Sequence, residues 1–296
     1  MKNLILCETK TNETKDLILL KRDTGEMIDS FDLGVKIYTT KQQEVYKAWK
    51  ADVEKKEIRK IISNELGNFF MLLTDNPFCD LKPETVTKMI MLCTYLSYDG
   101  RLMRTQKTPL KKTDIQKILK LSERATYQFI SEVKEKYLKE SKDGDLFIIH
   151  PDIYRGKLDE NQKGNTYQMI YINKSKELYN TVNVRKHKQI GHIFKLLPYI
   201  NIEFNVICKD ISETSLNELT TLTAKDFCNL IKYNSNQISR LIKTYNNLKF
   251  NVNGKYERLV SFVSDCDNNN KNGIYINPHI LYAGHISSYV RAVGKF

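Results

Sequence analysis

The clearest periodicity in the chain lies between residues 111 and 138, where apolar side chains recur every three to four positions in two short runs. Ile115, Ile118 and Leu119 line one face of a first helix, and Thr126, Ile130, Val133 and Tyr137 form the inner stripe of a second. Leu121 plugs the turn between them, and Ser122 stands where a side-chain oxygen caps the second helix. That leaves Arg124, Ala125, Gln128 and Ser131 facing outward, with Tyr127 at the margin. Residues 139–145 follow as a polar tip carrying Lys139, Lys142 and Gly144, and residues 146–151 as an apolar strand, the pattern of a β-wing behind a helix-turn-helix.

The same pattern returns 112 positions later, so that residues 113–130 lie on residues 225–242 without a gap. Asp114 falls on Asp226, Ile115 on Phe227, Leu119 on Ile231, Phe129 on Leu241 and Ile130 on Ile242, which keeps the inner positions apolar. Asn234 replaces Ser122 as the cap, and Ser235, Asn236, Gln237, Arg240 and Lys243 take the outward side of a second candidate recognition helix over 234–248. A second wing is expected from a strand over 256–264, a polar tip over 265–273 and a return strand over 274–278, with Lys255, Arg258 and Lys271 as its cations. The exits also match: residues 149–156 and 276–284 each run from a strand through Pro to Gly. Agreement of helices, wings and exits argues for a duplication.

Around the repeats the signals are simpler. Residues 17–22 and 26–31 read as two strands about a turn at Asp23 and Gly25, and residues 40–60, with Trp49, as a half-buried helix. Residues 83–98 read as an apolar helix with Pro83 in its first turn. Residues 166–172 read as a strand, 174–183 as a short helix, and Arg185, Lys186, His187 and Lys188 as a basic connector to the helix over 190–200.

Composition narrows the function. Lys plus Arg number 47 against 35 Asp plus Glu in 296 residues, a formal charge of +12 that suits a polyanion partner. No apolar run reaches a membrane-spanning length, the start is too polar for a secretory leader, and the six Cys lack a C-x-x-C pair, so a cytoplasmic location with reduced thiols is expected. There is no Walker-type glycine loop. The five His contain no metal-holding pair one residue apart beside a nucleophilic Tyr, so neither ATP hydrolysis nor strand nicking is expected. A non-enzymatic protein without cofactor or metal follows.

The residues from Asp23 to Ile28, then the helix-turn-helix, then Ile149, His150, Pro151, Asp152, Ile153, Tyr154, Arg155 and Gly156 ahead of a Tyr-rich strand together carry a likeness. Over residues 16–172 the chain resembles the RepL-like replication proteins of Firmicute plasmids and related phage winged-helix proteins. In architecture it also resembles plasmid initiators that bind iterated origin repeats with tandem winged-helix domains. The resemblance implies origin binding and recruitment of host replication machinery, with recognition carried by Arg124, Tyr127 and Gln128. The chain is much longer than the RepL-like pattern, and residues 185–296 lie outside it.

These readings predict an α+β, mainly helical fold: tandem winged helix-turn-helix domains with an N-terminal β-hairpin and helical extension. The expected divisions are an extension over 1–80, a first winged-helix domain over 81–172, a connector over 173–188 and a second winged-helix domain over 189–296. The expected partners are double-stranded DNA and host replication or transcription proteins, with a homodimer allowed and no membrane. Three roles fit: a plasmid or phage replication initiator, a transcriptional regulator at promoter operators, or a winged-helix protein-interaction module, the last kept open by Glu123, Glu132 and Glu135.

Overall fold

The computed structural model describes residues 4–10, 15–21, 27–28, 66–75, 77–156, 166–264, 272–284 and 286–296. The chain forms two compact units, residues 1–61 and 62–296. In the first, β1 (Leu4–Lys10), β2 (Lys15–Lys21) and β3 (Met27–Ile28) make an antiparallel sheet in the order β1-β2-β3. Leu19 lies opposite Ile28 and Leu20 opposite Met27, the pairing expected of a hairpin, while Leu6 pairs with Leu19 on the other edge. The helix expected over 40–60 lies outside the described residues.

The second unit opens with β4 (Phe69–Leu73) and α1 (Pro83–Cys93). Pro83 occupies the first turn of α1, where its missing amide costs no helical hydrogen bond, and Val86, Met89, Ile90 and Cys93 are all buried. There follow α2 (Lys112–Leu119), α3 (Glu123–Val133), β5 (Leu138–Glu140), β6 (Leu146–Ile148) and β7 (Ile153–Tyr154). Next come β8 (Tyr167–Tyr171), α4 (Ile172–Thr181), α5 (His187–Lys195), α6 (Ala224–Leu230) and α7 (Ile238–Asn246). The unit closes with β9 (Lys249–Val252), β10 (Lys255–Arg258), β11 (Val260–Val263), β12 (Gly273–Ile276), β13 (Leu281–Tyr282) and α8 (Ile286–Val293).

The exits of the two repeats meet in one antiparallel sheet, ordered β13-β8-β4-β7. Phe70 pairs with Ile170 at its centre, Leu72 with Ile153 on one side, and Ile170 with Leu281 on the other. A shared core runs behind it, in which Ile115, Leu119 and Phe129 of the first repeat belong to the same apolar cluster as Phe227, Leu241 and Tyr245 of the second. Helices α1 and α5 pack closely against each other. At Gly191 of α5 an added Cβ would fall 1.7 Å from the Pro83 carbonyl oxygen, so only glycine permits this approach.

The expectation of a mainly helical chain built as two winged-helix domains is therefore overturned. The described residues form a mixed α/β fold with several small antiparallel sheets, and the four-stranded sheet draws strands from both repeats. Of its four strands only β8 was expected, over 166–172; β4, β7 and β13, two to five residues long, carry too little alternation to be read from sequence. Yet they unite the repeats, because each exit strand alone is too short to form a sheet and pairs with the longer β4 or β8.

Two local expectations also change. The strand expected over 256–264 is divided between β10 and β11: β10 pairs back onto β9, while β11 pairs with β12. Leu259, fully buried, sits at the break and donates its amide to the Leu248 carbonyl at 2.8 Å. The expected basic connector is short: Arg185 and Lys186 lie in a 3-10 turn, and α5 already starts at His187. His187 is 3% exposed, its Nε2 3.2 Å from the carbonyl oxygens of Tyr179 and Val182, which makes it a core residue. Among the described residues no helix is long and apolar enough to cross a membrane.

Candidate nucleic-acid interface

The α2–α3 and α6–α7 pairs are built by equivalent local chemistry. At the start of α2 the Lys111 amide donates to Asp114 Oδ2 at 3.0 Å; at the start of α6 the Thr223 amide donates to Asp226 Oδ2 at 2.9 Å. Thr223 returns the bond, its Oγ1 accepting from the Asp226 amide at 3.2 Å, a reciprocal cap. Both first helices run into a left-handed lysine, Lys120 and Lys232, which turns the chain toward the second helix. Ser122 Oγ accepts from the Ala125 amide at 3.3 Å, and Asn234 Oδ1 from the Asn236 amide at 2.9 Å. The second helix differs in one respect: Ser235–Gln237 form a 3-10 turn, so α7 itself begins at Ile238 rather than next to Asn234.

Burial sorts each helix into two faces. On α3, Thr126, Phe129, Ile130 and Val133 are buried, while Arg124, Gln128 and Ser131 are exposed, Ala125 is half-buried and Tyr127 is 65% exposed. On the α7 side, Leu241 and Tyr245 are buried, Asn236, Gln237, Arg240 and Lys243 are exposed, and Ser235 is half-buried. The acids of the first helix are partly withdrawn. Glu132 Oε2 accepts from the Thr85 hydroxyl of α1 at 2.9 Å, and Glu123 lies in the first turn, where a carboxylate favours the helix N-terminus. Glu135 lies beyond the helix end.

Each helical pair is followed by a β-hairpin with exposed cations. In β5–β6, Lys139 pairs with Phe147 across the strands, and both Lys139 and Lys142 are exposed. Two of the hairpin's three acids are engaged by α2 and the residue before it: Lys111 Nζ lies 2.6 Å from Asp145 and Lys112 Nζ 2.5 Å from Glu140, while Asp143 is exposed. In β9–β10, Lys255 and Arg258 are exposed, whereas Glu257 is bound to His279 Nδ1 and to the Asn277 side-chain amide, each at 2.8 Å. Lys271 lies outside the described residues. Arg185 and Lys188 are exposed and Lys186 is half-buried.

Sequence reasoning missed Tyr256, 66% exposed on β10, and Lys249, exposed on β9. The signal was present: Asn253 and Gly254, both with positive φ, form the two-residue turn typical of a tight hairpin. His150, prominent in the 149–156 motif, is packed instead of displayed, its ring stacked 4.9 Å from that of Tyr137, and burial lowers its pKa. Among the described residues no group of three His, Cys, Asp or Glu could hold a metal ion. Comparison of the chain with protein-family models, with curated proteins and with solved structures finds no match.

The arrangement can grip a polyanion and present amide, hydroxyl and guanidinium groups to it. Side chains of these types read base edges in a major groove, while hairpin lysines suit phosphates.

Proposed function

We propose that this protein binds double-stranded DNA with sequence preference, through the outward faces of α3 and α7, and acts as a binding protein without catalysis. The observation that supports the reading is the recurrence, at one offset, of a capped first helix, a left-handed turn residue and a second helix with an apolar inner and polar outer face. Arg124, Tyr127, Gln128 and Ser131 take the base edges in one half-site, and Ser235, Asn236, Gln237, Arg240 and Lys243 in the other. Lys139, Lys142, Lys255 and Arg258 contact phosphates.

Two reading helices carried by one unit address two half-sites without a second copy of the chain. A plasmid or phage replication initiator is the role we favour, on the resemblance over residues 16–172; regulation of a promoter uses the same contacts. Selection of bound duplexes from a random library, followed by mobility shift over a salt series, tests the binding. The expected outcome is a two-part site whose affinity falls steeply with salt; no duplex binding at low salt would overturn the proposal. A plasmid-maintenance assay separates initiation from regulation.

A further inference from the structure

The 149–156 motif ends in two residues that duplex reading leaves unused. Arg155 Nη1 donates to the Leu96 carbonyl at 2.8 Å, and its guanidinium lies over the Tyr98 ring, 5.0 Å from the centroid. Tyr98 is 73% exposed, so much of its ring is open to solvent although a cation lies over it. Gly156, at φ +110, passes against the same ring, where an added Cβ would come within 2.8 Å of Tyr98 Cδ1. Three residues before Tyr98, Tyr95 carries a second cation: Lys176 Nζ of α4 lies 3.9 Å from its ring centroid.

Arg155, Lys176 and Tyr95 are all half-buried. Neither cation has a carboxylate partner among the described residues, although Arg101, Lys111, Lys112 and Lys136 all do. Burial, and then the positive charge of Arg155, lower the pKa of Lys176. Two like charges on two tyrosine faces are an unfavourable pair that a bound anion relieves, and the guanidinium keeps N–H donors beyond the one used by Leu96.

We propose that Tyr95, Tyr98, Arg155 and Lys176 form a site for one nucleotide unit of an unpaired nucleic-acid strand, with its phosphate drawn to the two cations and its base on the open part of the Tyr98 ring. An exposed ring selects an unpaired strand because bases inside a duplex are already stacked on both faces, whereas an unstacked base is free to use a protein ring. The site shares no residue with the faces of α3 and α7. It deepens the nucleic-acid reading but does not depend on duplex recognition.

The test is fluorescence anisotropy of the full chain with a labelled oligothymidylate at low salt, beside a labelled duplex. Tyr98→Ala and Lys176→Gln are each expected to weaken strand binding about tenfold, while Tyr98→Phe keeps it and duplex affinity stays within about twofold. Lys176→Gln removes both the repulsion from Arg155 and the contact with the Tyr95 ring, so its stability is read separately by chemical denaturation, which separates lost binding from lost folding. Oligothymidylate binding that is absent in the parent, or unchanged in both variants, overturns the site. Inorganic phosphate displacing the strand as effectively as thymidine monophosphate does overturns the base-stacking half of it. Failure of duplex recognition is read separately, from Arg124→Ala and Arg240→Ala on the duplex.

Discussion

Lys120 and Lys232, 112 positions apart in the chain, hold the same left-handed backbone conformation, with φ of 53 and 55. Each follows a short helix and sets the direction of the next, α3 in one case and the turn into α7 in the other. A side chain with a Cβ is strained there, which glycine relieves at some cost in unfolded-state entropy. Lys120→Gly and Lys232→Gly are therefore expected to raise stability by about 0.5–1 kcal/mol, and Lys120→Val to lower it, as read by urea denaturation.

Specific binding is expected to divide between the two helices. Arg124→Ala and Arg240→Ala should each weaken binding to the selected duplex by ~1–3 kcal/mol and relax base preference in a different half of the site. Lys139→Ala and Lys255→Ala should weaken all duplexes alike and reduce the salt slope by about one unit each. Titration of a panel of single-base variants of the selected site distinguishes the two patterns. Unchanged preference in both arginine variants would remove α3 and α7 as readers.

The seam between α1 and α5 should tolerate almost nothing at residue 191. Because the Cβ of Gly191→Ala would overlap the Pro83 carbonyl, the helices must separate, with an expected loss of about 3 kcal/mol. Neighbouring Ala substitution at exposed Lys188 should be near neutral by the same denaturation measurement.

Acid should weaken the fold through its histidines before it reaches the carboxylates. Burial lowers the pKa of His150, His187 and His192; for His192, which also feels Lys188, the value falls to about 4. These rings are neutral in the folded protein, and unfolding returns them to an ordinary value near 6.5. The unfolded chain thus takes up protons that the folded chain refuses. Stability is complete above about pH 6.5 and declines as pH falls toward 4. His192→Gln should flatten that decline by up to about 3 kcal/mol at its acid end, measured as the difference between the two stability curves against pH.

Much of the local architecture was legible in the chain. The period of Ile115, Leu119, Phe129 and Val133, repeated at Phe227, Ile231, Leu241 and Tyr245, marks the helices because burial on one face of a helix requires that spacing. Ser122 marks where α3 begins, since capping uses only nearby atoms, whereas Asn234 caps the 3-10 turn ahead of α7 and not the helix itself. Tyr256 was missed because the run from 256 to 264 reads as one continuous strand, whereas the Asn253 and Gly254 turn folds its first part, β10, back onto β9.

Sequence by itself thus determined the repeated helices, their caps and the polar outer faces, all governed by interactions within a few residues. Only the tertiary structure decided that the two copies share a four-stranded sheet and one core, that His187 is interior, and that Arg155 lies over Tyr98 and Lys176 over Tyr95. Those outcomes depend on strand pairing and packing between residues up to more than a hundred positions apart, as with Ile170 and Leu281, and no periodicity along the chain encodes such partners.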